Sequence, residues 1–207
     1  MAAASRTPPF SMTRYNAEIS AGSLLPLESR RVAALLLTQP HENEWVQAIE
    51  VQNILQKRTP ATARRQATLI RKRLLTLTPQ ALEMIATRES EVSVQLLLTA
   101  AIKHSQLLGD FLRNTYWQQQ RRFEAALSGK DWQDFLAESA HHDPSVLDWS
   151  DSTKKKLFEV ICRILVESRF LDATRTKKMT PPSLHPAVIR YLRENHETYA
   201  LQCMEKN

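Results

Sequence analysis

The sequence predicts an all-α fold, and three observations carry that reading. Only three of 207 residues are glycine, apolar residues recur at three- and four-residue spacing through most of the chain, and Thr–Pro and Asp–Pro steps stand where helices would begin. Sheets with many hairpins need glycine or asparagine wherever the backbone turns to positive φ, and average glycine usage is about 7%. Gly22, Gly109 and Gly129 are too few for a string of hairpins, a phosphate-cradling loop or a dinucleotide fingerprint. A chain of this size buries roughly 70% of its unfolded surface, so its core needs no staple.

Residues 1–14, rich in Ala, Ser and Pro, are expected to be a flexible tail. A first helix follows Pro26 over 28–37 and stops before Pro40. A second covers 44–55, with Trp45, Ile49, Gln52 and Leu55 near helical spacing, and a basic turn at 56–58 follows. Thr59 with Pro60 starts a third helix: the hydroxyl accepts an orphan N–H, and proline lacks one to satisfy. Thr78 with Pro79 repeats the device. A long helical region is expected over 90–127, with a kink or break at Gly109 and Asp110. His104 continues its apolar stripe as a satisfied core histidine, and Tyr116, Trp117 and Phe123 extend the buried face.

Asp131 is the expected cap of a helix through Ala140, with Trp132, Phe135 and Leu136 turned inward. Asp143 with Pro144 reads as another cap and first-turn proline, and residues 150–153 offer caps for a helix whose stripe is Leu157, Phe158, Ile161, Ile164 and Leu165. The basic turn at 172–179 has the composition for a small wing hairpin near 170–180. Pro181, Pro182 and Pro186 then lead to a last helix over 187–203. The expected organisation is the tail at 1–14, an N-terminal helical domain at 15–88 with a helix-turn-helix, and a C-terminal helical domain at 89–207 with a second such element. The shared order of a tryptophan-led helix, a capped basic helix and a proline-marked stop hints at a diverged duplication, with no residue-level identity behind it.

Cys162 and Cys203 are too few for a disulfide scaffold and too far apart for a zinc knuckle, and Cys162 lies among Val160, Ile161 and Ile164 as a core thiol would. The N-terminus has no apolar stretch of signal-peptide type, and the longest apolar windows, 32–37 and 94–102, fall short of the ~20 residues of a membrane span. A soluble, cytoplasmic protein is expected, with no membrane, no metal and no cofactor, and as a monomer.

The net charge of +6 is segregated. Residues 1–88 hold 12 Lys/Arg against 6 Asp/Glu, residues 89–152 hold 5 against 10, and residues 153–207 hold 11 against 6. Two basic blocks flanking an acidic middle point to a polyanion as partner. The most informative stretch is 59–77. Ala63, Ala67, Ile70, Leu74 and Leu77 make one apolar stripe, leaving Leu69 and Leu75 to pack on a neighbouring element. Opposite the stripe point Arg64, Arg65, Thr68 and Lys72, with Arg71 at the margin. Seven basic residues, Arg73 among them, stand between Glu50 and Glu83 with no acid to form helical i,i+4 pairs.

Small residues at the helix start with cations behind them suit close approach to a groove and neutralisation of phosphates. With the preceding helix and turn, including Arg58, the segment reads as helix-turn-helix; a merely solvated basic face is the alternative. A second candidate surface carries Lys154, Lys155, Lys156, Arg163, Lys177 and Lys178, its lysines crowded at a helix start where the dipole favours anions. A metal site at His141, His142 and Asp143 lacks a partner cluster. No carboxylate cluster, metal-ligand spacing, nucleophile elbow or phosphate loop supports an enzyme, and Glu42 and Glu44 near His41 read as a solvated loop.

Several segments in serial order carry a family resemblance: YNAEISAGSLLPLESRRVAALLL at 15–37, Trp45, Asn53 with QKR at 56–58, TPATARRQATLIRKRL at 59–74, and TKKKLFEVICRILVESRFLD at 153–172. From about residue 15 to 192 the chain resembles the BrxA family, a small core component of the BREX bacteriophage-exclusion systems of bacteria. The resemblance implies an all-helical protein with helix-turn-helix elements that binds double-stranded DNA and works beside a methyltransferase, an ATPase and a phosphatase-like protein; with no catalytic motif in the chain, a non-catalytic DNA-binding role is expected. The alternative is a helical adaptor that docks those partners without reading DNA, through acidic residues such as Glu124, Asp131, Asp134 and Glu138.

Overall fold

Hydroxyl and carboxylate caps set several helix starts in the computed structural model, which describes residues 15–206. The expected tail at 1–14 lies outside the described residues. Thr59 Oγ1 accepts the Thr62 N–H at 3.2 Å and Thr78 Oγ1 that of Ala81 at 3.4 Å, each with proline in the first turn. Ser150 caps in the same way, and Asp143 Oδ1 accepts the Ser145 N–H at 3.1 Å. Each cap satisfies a donor that the helix cannot.

The chain runs through a 3₁₀ turn at Glu18–Ala21, then α1 (Pro26–Leu37), α2 (Glu42–Val46) with a π-turn at Gln47–Val51, α3 (Pro60–Leu74) and α4 (Pro79–Thr87). There follow α5 (Ser90–His104), α6 (Gln106–Phe111), a π-turn at Leu112–Tyr116, α7 (Trp117–Arg121) and α8 (Gly129–His142). The chain closes with a 3₁₀ turn at Pro144–Asp148, α9 (Asp151–Glu167), α10 (Pro186–Glu194) and α11 (Thr198–Met204). The all-α expectation holds: among the described residues extended pairing is limited to two isolated antiparallel bridges, Ala126 with Lys178 and Leu171 with Met179.

Helix α5 is the hub. It is buried nearly all round, from Val92 through Leu96, Leu98 and Ile102, as a helix surrounded by other elements must be. Helices α1, α3, α4, α6, α10 and α11 pack against it. A second knot of rings ties α6, α8 and α9 together: Phe111 meets Trp132 and Phe135 edge-on at 5.6 and 5.2 Å, and Trp132 stacks on Phe158 at 5.5 Å. Buried residues from Tyr15 to Met204 join one hydrophobic cluster.

Several boundaries differ from the sequence expectation. The long helix of 90–127 breaks at Ser105, whose backbone is extended, rather than at Gly109, and it ends at Arg121. Gly109 serves a close approach instead: a Cβ there would lie 2.4 Å from Tyr199 Oη. Phe123 is 94% exposed, not buried, because the chain has already left α7 by a left-handed turn. The cap of α8 is Ser128; Asp131 sits three residues on and reaches back to the Ser128 N–H at 2.7 Å. The second helix stops near Val51, leaving Gln52 exposed.

The expected last helix is two, since Asn195 turns its amide onto the Tyr191 carbonyl at 2.9 Å and His196 adopts φ 55°. Leu69 is buried as expected, but Leu75 remains 62% exposed where α3 ends. The wing near 170–180 is a ribbon of bridged turns without a strand.

Candidate nucleic-acid interface

Helix α3 has two sides because its apolar residues fall on one stripe. Ala63, Ala67, Ile70 and Leu74 are buried against the core, and this fixes the opposite side in solvent with Arg64, Arg65, Thr68 and Lys72 exposed and Arg71 half-buried at its margin. The exposed side forms a ridge between two clefts. One, of about 460 Å³, is lined by Glu18, Ala21, Ala61, Arg64, Arg65 and Lys72. The other, of about 410 Å³, lies toward α2 and includes Glu42, Trp45, Glu50 and Arg71. Arg64, Thr68 and Lys72 border both.

The acids missing from α3 itself arrive from other elements. Glu50 takes Arg64 in a two-pronged pair, and the Arg64 hydrogen bond holds the Glu50 carboxyl below the usual carboxylate range. Glu42 meets Arg71 at 3.1 Å, and the Arg71 guanidinium lies 4.5 Å over the Trp45 ring. Glu18 meets Lys72 at 3.5 Å and His104 Nε2 at 3.3 Å. The lack of acids along 51–82 therefore does not mean a bare row of cations. These glutamates and Trp45 carried no local signal, since their pairing depends on how distant segments pack.

Other cations of the N-terminal block are structural. Arg73 is 4% exposed and donates to the carbonyls of Ser23 and Gly22 at 2.6 and 2.9 Å. Burial pulls its pKa down to about 10, against the pull of Glu167. Arg30 and Arg31 donate to the Ala86 and Ile54 carbonyls, and Lys57 pairs with Glu28. Arg58 and Arg65 are exposed and form no ion pair with the described side chains.

The second predicted surface is divided between α9 and the ribbon. Lys155, Lys156 and Arg163 are exposed on α9, while Lys154 is half-buried and its carbonyl accepts the Trp132 indole N–H. Lys156 has Glu159 at 4.0 Å on the same face. Lys178 is exposed on the ribbon, and Lys177 lies near enough to Cys162 to oppose the burial that pushes this thiol up to about 12. Cys203, also buried, is raised to about 12 by burial. His104 is half satisfied, because its Nδ1 is buried without a hydrogen-bond partner.

Of the acidic middle, Asp131 is engaged by Ser128 and by Gln119, and Asp134 by Lys130. Asp143 accepts the Tyr15 N–H at 2.8 Å and belongs to a cap. Among the described residues no group of three or more His, Cys, Asp or Glu side chains is placed to hold a metal ion. No described helix is long and apolar enough to cross a membrane.

The family model for BrxA matches residues 13–196. Over 192 residues the chain is 42% identical to the BREX protein BrxA of Paramagnetospirillum magneticum, covering 93% of this chain and 96% of that one. The chain belongs to the BrxA family. The BREX protein BrxA of Escherichia coli is 34% identical over 169 residues, covering 82% of this chain and 79% of its own. A crystal structure of an uncharacterized protein from Magnetospirillum magneticum superposes with a TM-score of 0.86 at 40% identity, over 94% of this BrxA-family chain and all of the other. The family resemblance read from the segments at 15–37, 59–74 and 153–172 is thereby borne out, and with it the place of the chain among BREX phage-defence components.

Proposed function

We propose that this BrxA-family protein is a non-catalytic, double-stranded DNA-binding component of a BREX phage-defence system. The observation that carries the reading is the exposed face of α3, where Arg64, Arg65, Thr68 and Lys72 share one solvent-open cleft behind the small residues Pro60 and Ala61. In this reading α2 with its π-turn and α3 act as a helix-turn-helix. Helix α3 approaches a groove, Arg65 and Arg58 reach phosphates directly, and Arg64, Arg71 and Lys72 exchange carboxylates for phosphates. Lys154, Lys155, Lys156, Arg163, Lys177 and Lys178 supply a second, sequence-independent set of contacts. The protein works in the cytoplasm as a monomer beside the methyltransferase, ATPase and phosphatase-like proteins.

A duplex-binding titration across salt tests this. Five or six phosphate contacts give a log–log slope of roughly −5. Reversing the charge of Arg64, Arg65 and Lys72 together should remove most binding with helicity unchanged. A flat salt dependence, or full binding by the triple variant, would be incompatible with α3 as the DNA-facing element.

A further inference from the structure

Phe123 combines two features that folding does not reward. Its ring is 94% exposed, and its backbone lies in the left-handed region at φ 60°. Helix α7 ends in a Schellman turn: the Phe123 N–H donates to the Gln120 carbonyl at 3.2 Å and the Glu124 N–H to the Gln119 carbonyl at 3.1 Å. Phe123 therefore occupies the position that glycine favours. The other left-handed residues among those described are polar, apart from Leu25, which packs against the core. Phe123 is the apolar, exposed exception among them. Neither burial nor backbone preference accounts for an aromatic ring there, and such coincidences of strain and exposure mark binding positions.

The surroundings identify the chemistry of the ligand. Phe123 lies two residues before the ribbon, in which the Ala125 carbonyl accepts the Met179 N–H at 3.0 Å and the Phe170 carbonyl accepts the Thr180 N–H at 2.9 Å. Exposed cations stand on this ribbon and at its roots: Arg121, Arg122, Arg169 and Lys178. The ribbon's acids are Glu124 and Asp172, and the Asp172 carboxylate is taken up by the N–H groups of Ala173 and Lys178 and the Thr176 hydroxyl. An exposed apolar ring on a segment that also carries exposed guanidinium and ammonium groups matches a polymer that alternates phosphates with flat apolar faces, and an acidic or purely apolar protein surface matches only half of it.

We propose that Phe123 is a wedge against the bases of duplex DNA, with the ribbon's cations on the flanking phosphates and the ring stacked at a base step that it opens. This rests on the DNA-binding reading above and adds a contact that α3 does not supply.

Binding of the full chain to a short duplex bearing several 2-aminopurines, followed by anisotropy and by 2-aminopurine fluorescence, tests it, with the unpaired strand as a second arm. The wild type should raise the fluorescence as bases unstack. Phe123→Gly should abolish that rise and weaken binding about ten-fold, with the salt slope unchanged because no charge is lost. The same variant should raise the Tm by about 2–4 °C as the left-handed strain is relieved, and Phe123→Trp should keep the wedge. If the wild type binds duplex and Phe123→Gly binds equally well with the same fluorescence, the wedge is overturned and a protein partner is left as the ring's ligand, while DNA binding stands. Phe123-dependent stacking on the single strand alone overturns the duplex assignment. If the wild type binds no duplex, the DNA-binding reading itself falls.

Discussion

Arg64 grips Glu50 with both prongs of its guanidinium, Nε donating to Oε1 at 2.7 Å and Nη2 to Oε2 at 2.5 Å. The two residues are fourteen apart and lie on different elements, α3 and the π-turn after α2. This pair gives the exposed face of α3 its character. The face is a set of cations held in place by carboxylates from neighbouring segments, with Arg65 left open between them.

Removing the carboxylate should therefore help a polyanion. Glu50→Gln should raise duplex affinity at low salt by a factor of about 2–5, with an unchanged circular dichroism spectrum. The Arg64 hydrogen bond lowers the Glu50 pKa, so the pair persists above the usual carboxylate range and is lost as pH falls through that lowered value. Weaker binding by the variant would mean that Glu50 presents Arg64 to DNA instead of withholding it.

Arg73 and Arg65 lie eight residues apart on the same helix and should respond in opposite ways. Arg73→Met leaves the Ser23 and Gly22 carbonyls without their donor and should cost about 1–3 kcal/mol of stability in urea denaturation. Arg65→Met should stay within about 0.5 kcal/mol of wild type while weakening DNA binding. Equal stability losses in the two variants would contradict the structural and surface roles assigned here.

Gly109 is a steric requirement of the C-terminal helix. A methyl group there meets Tyr199 Oη at 2.4 Å and two ring carbons at 2.8 Å, and Tyr199 donates to the fully buried Asp110 at 2.9 Å. Gly109→Ala should destabilise by about 1–3 kcal/mol. Tyr199→Phe should not rescue it, because the ring atoms remain in the way. A thermal midpoint equal to wild type would show that α11 can shift freely, contrary to the packing described.

His104 should make stability fall in mild acid. Burial, and then the Arg73 charge, hold its pKa below the ordinary 6.5, and Glu18 offsets only part of this. A histidine depressed on folding binds its proton more readily in the unfolded chain, so stability is complete above about pH 6.5 and declines as pH falls from there toward the lowered pKa. His104→Gln should flatten the pH 5–7 portion of the stability profile. An unchanged slope would place the responsible group elsewhere.

Much of the fold was readable because its signals are local. The Thr59 and Thr78 caps, the α3 stripe and the inward faces of α8 and α9 each depend on residues within one or two turns. The same holds for the sidedness of α3, since Ala63 to Leu74 fix one face in the core whatever lies across from it. The family, too, was readable from ordered segments spread along the chain.

What escaped that reading depends on partners far away in sequence. The sequence placed Arg73 with the basic run, but the Ser23 and Gly22 carbonyls, about fifty residues away, make it a core residue. It expected Phe123 to continue a buried stripe, but the helix ends two residues earlier, so helical periodicity no longer governs where the ring points. It found no acids near the α3 cations, but Glu18, Glu42 and Glu50 reach them across the fold. Periodicity and capping are properties of a single segment and survive in one dimension. The burial of a charge, the company it keeps and the exposure of a ring beyond a helix end are decided only when separate segments pack.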